Sequence, residues 1–244
     1  ITDAIGSVST TPVQLIILVA PGITLHPLRH GVVPGSTVVL SVSVTNTATL
    51  PIGYRLRRNG STLSTTFPGA YLVLTQRTAF FTLTGTNVAP PWTNYAIIVT
   101  NQAKPSGNLS ASAILTYHTD TDGDGIPDSW ENTYFGGNTA ADPLGDPDAD
   151  GMLNWQEYIA GTDPTNALSH LEIKTLAAPP AATVNFIAIS NRTYTVQFTD
   201  TLGASNLWQR LADVPARATD RIEFIPDDAY TTNRFYRLVT PRQP

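Results

Sequence analysis

The sequence predicts a mainly β chain, two β-sandwich domains joined by a short helical segment. Three observations lead there. Of 244 residues only 14% are charged, threonine is about one residue in seven, and valine and isoleucine cluster in short runs, a composition that favours strands over helices. Those runs recur between turn-forming residues at spacings of roughly 8 to 12 residues. From residue 119 to residue 168 the pattern breaks into acidic stretches with aromatic residues at i+3 and i+4 spacing, the signature of short helices.

Composition removes several functions. With no cysteine in the chain, a disulfide scaffold, a thiolate metal site and a cysteine nucleophile are excluded, though the compartment is left open. The longest apolar stretch, residues 13–20, contains Gln14 and is far short of the roughly 20 residues that cross a bilayer, so membrane insertion is not expected. A sequence pI of about 5.2 disfavours nucleic acid as a partner. The start ITDAIG places Asp3 where a signal peptide needs a basic residue, so an exported protein is expected here in processed or cropped form.

Residues 1–20 read as an N-terminal strand without a sheet. Val13, Leu15, Ile17 and Val19 line one face and Ile16 and Leu18 the other, so both faces call for burial, and an uncovered strand of this kind invites aggregation. Residues 1–18 and 99–117 share an order of strand end, small-residue hairpin and strand. Three readings follow: a donor strand for a neighbouring copy, with an unfinished sheet in the C-terminal domain as a candidate acceptor; the remnant of a preceding domain in a longer tandem array; or a strand that pairs within its own chain. Strand addition between copies is a ladder of backbone hydrogen bonds, and a head-to-tail contact that does not close makes a fibre.

Residues 21–118 contain TVVLSVSV, IGYRLR, AYLVLTQ, AFFTLTG, NYAIIVTN and SASAILTY, with turns between them. Their order resembles a bacterial immunoglobulin-like domain. The resemblance puts Val42 and Ile97 where that family has cysteines, Leu56 in place of its core tryptophan, and Tyr95 at its tyrosine corner. Arg55 and Arg57 alternate with Leu56 and are expected to point outward.

Residues 120–163 carry eleven carboxylates and neither lysine nor arginine, against a net +5 before them and +1 after. An acidic run this dense ordinarily stays solvated, yet this one includes Trp130, Tyr134, Phe135, Trp155, Tyr158 and Ile159. DTDGDGIPDSWE matches the D-x-D-x-D-G-x5-E calcium loop. Asp120, Asp122, Asp124, the Ile126 carbonyl, Asp128 directly or through water, and Glu131 offer the six or more oxygens that Ca²⁺ takes. DPDADGMLNWQE repeats it with Asp146, Asp148, Asp150, the Met152 carbonyl, Asn154 and Glu157, so two Ca²⁺ sites are expected. Asp142 and Asp163, each before a proline, read as turn formers rather than extra ligands. No helix enters either loop, and Gly161 with Pro164 ends the second exit helix. One methionine and no entering helices argue against a sensor, as does Pro127 at a position whose N–H paired loops use; calcium is expected to act as structural glue. The two motifs resemble the thrombospondin type 3-like, dockerin-related segments of bacterial secreted and surface proteins.

Residues 169–244 give LEIKTLAA, TVNFIAI, RTYTVQFTD, LWQRLAD, RIEFIPD and RFYRLVT, a second set of strands resembling a fibronectin type III-like module. Trp208, Phe224, Phe235 and Tyr236 are expected in its core or on a sheet face, with sugar stacking as the alternative.

Nothing catalytic stands out. His26, His30, His118 and His170 are scattered, no G-x-S-x-G elbow or P-loop is present, and no carboxylate pair outside the acidic segment is singled out. Asn59, Asn108 and Asn191 fit the N-x-S/T glycosylation pattern, which a chain this rich in serine and threonine also produces by chance. The expectation is a non-enzymatic structural subunit of an extracellular or cell-surface bacterial filament or array. It is stiffened by calcium and has other copies of itself as partners. The alternative is a carbohydrate- or surface-binding module of a larger secreted protein or hydrolase, with surface polysaccharide as partner.

Overall fold

The computed structural model describes residues 11–64, 69–85, 94–177, 182–202, 207–230 and 233–243. The part of the N-terminal strand reading that falls on residues 1–10 lies outside them. Residues 23–117 form the first sandwich from β1 (Ile23–Leu25), β2 (His30–Val32), β3 (Val38–Val44), β4 (Ile52–Arg58), β5 (Ser61–Thr62), β6 (Tyr71–Leu74), β7 (Thr78–Leu83), β8 (Asn94–Asn101), β9 (Lys104–Leu109) and β10 (Ala113–Tyr117). One sheet has the order β1-β3-β7. The other runs β2-β10-β8-β4-β5, with β6 also on β4 and β9 also on β8.

Alternation along these strands puts one apolar set inside, and the positions read as cysteine and tryptophan replacements are there: Val42, Leu56 and Ile97 are buried in one cluster with Leu40, Tyr54 and Tyr95. Burying each large side chain contributes roughly 1.5–3 kcal/mol. Tyr54 keeps its hydroxyl satisfied on the Gln76 carbonyl at 3.2 Å. Arg55 points outward as expected and stacks over Tyr71, 5.1 Å from the ring centroid.

Four strands escape the sequence pattern because they are short or broken. β9 (KPSGNL) contains Pro105 and Gly107 and is shaped by its hairpin with β8. Gly107 sits at φ 78°, and a Cβ there would come within 2.5 Å of Ile98 Cγ2, so both backbone and space require glycine.

Residues 11–20 differ from the strand expected. They form no strand in the chain, and Val13, Leu15 and Ile17 are 93%, 85% and 76% exposed. The physical reason is the lack of a neighbouring ladder: among the described residues only the root is held. Val19 N donates to Thr49 Oγ1 at 2.7 Å, and the Val19 carbonyl accepts from Thr49 N at 3.0 Å and from Asn101 Nδ2 at 2.7 Å.

The acidic segment holds α1 (Asp128–Phe135) and α2 (Asn154–Ala160). Each ends on a left-handed glycine, Gly136 at φ 75° and Gly161 at φ 80°, the usual helix stop. Their aromatic faces meet, with Trp130 4.9 Å from Tyr134 and 6.1 Å from Tyr158 between ring centroids.

The second sandwich uses β11 (Ile173–Ala177), β12 (Ala182–Ala188), β13 (Tyr194–Thr199), β14 (Gln209–Val214), β15 (Arg221–Asp227) and β16 (Phe235–Val239). Its sheets are ordered β11-β12-β15 and β14-β13-β16. Val184, Phe186, Tyr194 and Val196 are buried between them, with Tyr236 and Leu238 packed against the cluster. Of the aromatics read as core or sheet-face residues, Phe224 and Phe235 are exposed, and Trp208 lies under Arg237 at 4.3 Å. Asp227 is buried, and Arg234 Nη1 and the Tyr236 hydroxyl donate to it at 2.8 and 2.7 Å. Burial works to raise its pKa, but these two bonds and the Arg234 charge hold it below the ordinary carboxylate value.

The acidic segment continues directly from β10 and is bonded to the second sandwich. Asp128 N donates to the Thr119 carbonyl just after β10, Leu171 N donates to Met152 Sδ at 3.2 Å, and Arg192 Nη2 donates to the Tyr158 carbonyl at 2.9 Å. A cavity of about 840 Å³ lies where the three regions meet, lined by His30, Val33, Trp155, Tyr158, Arg192 and Pro241 among others.

Candidate metal centre

Each loop is wound by the same backbone contacts. In the first, Gly125 N donates to Asp120 Oδ2 at 3.0 Å and Ile126 N to Asp124 Oδ1 at 2.8 Å. In the second, Gly151 N donates to Asp146 Oδ2 at 3.1 Å and Met152 N to Asp150 Oδ1 at 2.8 Å. The glycines have φ of 95° and 96°, which turns the chain sharply enough to gather the carboxylates. As a result Asp120, Asp122 and Asp124 converge, as do Asp146, Asp148 and Asp150, each trio with ligand atoms within 4.8 Å of one another.

Below each trio a helix carries a fully buried glutamate, Glu131 on α1 and Glu157 on α2. Glu131 Oε1 accepts from Ala141 N at 3.0 Å, while its Oε2 has no hydrogen-bond partner. Both oxygens of Glu157 lack one, as do Asp124 Oδ2, Asp146 Oδ1, Asp148 Oδ2, Asp150 Oδ2 and Asn154 Oδ1. A buried acceptor left unmatched costs about 1–3 kcal/mol, and more when charged. A hard cation matches such oxygens, so the residues present fit Ca²⁺.

The electrostatics point the same way. Burial, with the nearby Asp148, Asp150 and Asp163 charges, outweighs the lowering influence of the Thr162 hydroxyl and pushes Glu157 up to about 7. Burial also raises Glu131 and Asp124, and neighbouring carboxylates add to it. Carboxyls driven toward their neutral forms by burial and by one another are groups that a bound cation would return to their charged forms.

The predicted ligands are not held alike. Asp128 has both carboxylate oxygens occupied, accepting from Thr121 N and Thr121 Oγ1 at 2.7 Å each, so it latches the start of the loop to the helix. Asn154, at the same position of the second loop, donates through Nδ2 to the Asp142 carbonyl at 2.7 Å and leaves Oδ1 unmatched. Asp142 and Asp163 make the turns read from the sequence, accepting from Leu144 N at 2.9 Å and Thr165 N at 3.0 Å. Sequence reasoning missed His170, whose Nδ1 lies 3.4 Å from Asp150 Oδ2. It is twenty positions beyond Asp150 and outside any loop pattern, so only the fold reveals it.

The three glycosylation motifs have unequal surroundings. Asn59 is exposed at the β4–β5 turn with φ 47°. Asn108 donates its amide to the Pro21 carbonyl at 2.6 Å, a bond that a glycan would displace. Asn191 has φ 59° and borders the 840 Å³ cavity.

The bacterial TSP3 repeat family matches residues 120–137 and 146–167, that is, each loop with its exit helix. No curated protein matches the sequence. Among solved structures, the titin I-band fragment I67-I69 is 23% identical with a TM-score of 0.33, covering 41% of this chain and 33% of that one. The N-terminal Ig1-2 module of the Drosophila receptor protein tyrosine phosphatase DLAR is 21% identical with a TM-score of 0.33, covering 44% and 52%. Titin domains z1z2, solved in complex with telethonin, are 13% identical with a TM-score of 0.33, covering 92% and 95%. The chain therefore spans only a third of the titin fragment and about half of the phosphatase module. The chain is mainly β, and both loops of its acidic middle are similar to the bacterial TSP3 repeat.

Proposed function

We propose that this chain is a non-catalytic structural module of the bacterial cell surface or extracellular space that binds two Ca²⁺ ions and assembles head to tail with other copies of itself. Asp120, Asp122, Asp124, Glu131 and the Ile126 carbonyl would hold one ion. Asp146, Asp148, Asp150, Asn154, Glu157 and the Met152 carbonyl would hold the other. Bound calcium supplies positive charge where eleven carboxylates meet no lysine or arginine, turning a repulsive linker into a stiff joint. The observation that carries this reading is the set of buried, unmatched carboxylate oxygens converging in both loops. Assembly is supported by the exposed apolar arm at residues 13–19, and the location by the TSP3 match.

The test is electron microscopy and thermal melting of the chain with calcium and after chelation. Fibres that loosen on chelation, with a fall in melting temperature, are expected, because binding only to the folded state stabilises it by mass action. An unchanged melting temperature overturns the calcium reading; single particles in both conditions overturn assembly. A second reading, retention on surface polysaccharide, is favoured by the exposed Phe224 and Phe235. Binding of unassembled chains to a polysaccharide matrix, abolished by Phe224→Ala, would support it.

A further inference from the structure

The two sandwiches share one plan. In each, a three-stranded antiparallel sheet (β1-β3-β7 or β11-β12-β15) faces a second sheet built on an antiparallel pair (β4-β8 or β13-β16) with a further strand beside it (β6 on β4, β14 on β13). They part at one edge. Beyond β8 the first sandwich places β9 and β10, and then β2; beyond β16 there is no strand among the described residues. The free edges of β14 and β15 have counterparts in β6 and β7, so they belong to the shared plan. The free edge of β16 has no such counterpart.

Directly after β16 the chain does not return as a hairpin. Thr240 Oγ1 donates to the Thr193 carbonyl at 3.0 Å, Arg242 N to Thr193 Oγ1 at 3.1 Å and Gln243 N to Thr195 Oγ1 at 3.0 Å, which carries residues 240–243 across β13. Packing registers the difference. Tyr95, Ile97 and Val99 of β8 are fully buried, whereas Tyr236 and Leu238 of β16 are only partly covered.

We propose that residues 13–19 of a second copy complete this edge, running antiparallel to β16 as β10 runs to β8. This rests on the assembly reading above and names its acceptor. Seven extended residues span about 23 Å at ~3.3 Å each, enough to pair along the five residues of β16. Val13, Leu15, Ile17 and Val19 form an unbroken apolar face that turns toward Tyr236 and Leu238, since Gln14 interrupts the other. Donor and acceptor are different surfaces of one chain, so the contact is heterologous and propagates as a filament.

The chain has no cysteine, which makes thiol cross-linking a clean test. Ile16→Cys chains are mixed with Phe235→Cys chains, and separately with Val239→Cys chains, then oxidised under assembly conditions. The expected result is a disulfide-linked heterodimer in at least one mixture. A cross-link formed only when both cysteines sit on one chain means that the arm folds back on its own edge, and overturns the proposal. Assembly without any cross-link also overturns it but leaves the assembly reading standing; no assembly and no cross-link reject both. Ile17→Asp should lower the assembled fraction about tenfold or more by placing a charge in a dry strand. Its melting temperature as a single chain should not change, because Ile17 is exposed there; undiminished assembly by Ile17→Asp overturns the proposal.

Discussion

The two acidic loops follow the same twelve-residue pattern, yet their surroundings differ. The first leaves two buried acceptor oxygens unmatched, on Asp124 and Glu131, and satisfies the rest of its lower shell from within the protein, through Thr121 on Asp128 and Ala141 on Glu131. The second leaves six, spread over Asp146, Asp148, Asp150, Asn154 and Glu157. It is also the loop joined to the second sandwich, through Leu171 on Met152 and His170 beside Asp150. The same motif can therefore serve unequal tasks. Both are wound by equivalent backbone contacts, but on the calcium reading proposed above the second loop has more unmatched oxygens for an ion to engage.

The sharpest way to break that comparison is to remove one carboxylate oxygen from each loop. Glu157→Gln should weaken calcium binding at its loop by at least about tenfold, some 1.4 kcal/mol, and remove most of the calcium-dependent rise in melting temperature. Glu131→Gln should cost less, because Ala141 N already engages one of its oxygens. Calorimetric titration of the two variants decides: equal losses would show that the buried unmatched oxygens do not rank the sites.

Acid should act on the ion-free chain in the opposite sense to most proteins. Glu157 is pushed up to about 7 from 4.5, chiefly by burial, with its acidic neighbours adding to it and the Thr162 hydroxyl opposing it. A group whose folded pKa lies above its unfolded value contributes stability that is complete below about 4.5 and is lost as pH rises through about 7. After chelation the melting temperature should therefore fall between pH 5 and pH 7.5, and Glu157→Gln should flatten most of that slope. Glu131, raised in the same direction, accounts for a smaller remainder. A melting temperature that instead rises over this interval in the ion-free chain would contradict the burial of Glu157.

How much of this was legible in the sequence follows from how local each cause is. The calcium loops are local: six oxygen donors and a glycine within twelve residues are visible at once, and the structure brings each aspartate trio together as the spacing implies. The longer strands of both sandwiches were legible too, because TVVLSVSV or TVNFIAI must alternate or be buried wherever they fall. The short strands β1, β2 and β5 were not, since pairing with a distant partner creates them. The role of Asp128 was hidden for the same reason, as its partner Thr121 could equally have faced solvent. That β16 has no neighbour beyond it among the described residues is a property of sheet order, which no single stretch of sequence carries.

The smallest difference between the loops is a single methyl group, and it gives the finest test. The fourth loop position is Gly123 in the first and Ala149 in the second, and both are left-handed, at φ 76° and 62°. An L-residue with a Cβ is disfavoured there by roughly 1 kcal/mol relative to glycine. Ala149→Gly should therefore stabilise the chain by about 0.5–1 kcal/mol, and Gly123→Ala should destabilise it by a similar amount. A Cβ at Gly123 meets nothing within 4 Å, so that cost is one of backbone conformation alone. For a chain of this size the shift is roughly 2–4 °C per kcal/mol, readable by calorimetry with calcium saturating both loops. Because the two positions lie in separate loops, the double variant should return close to the parent melting temperature. A destabilised Ala149→Gly would mean that the added freedom of the unfolded glycine outweighs the relief of strain, and that the second loop accommodates its alanine without penalty.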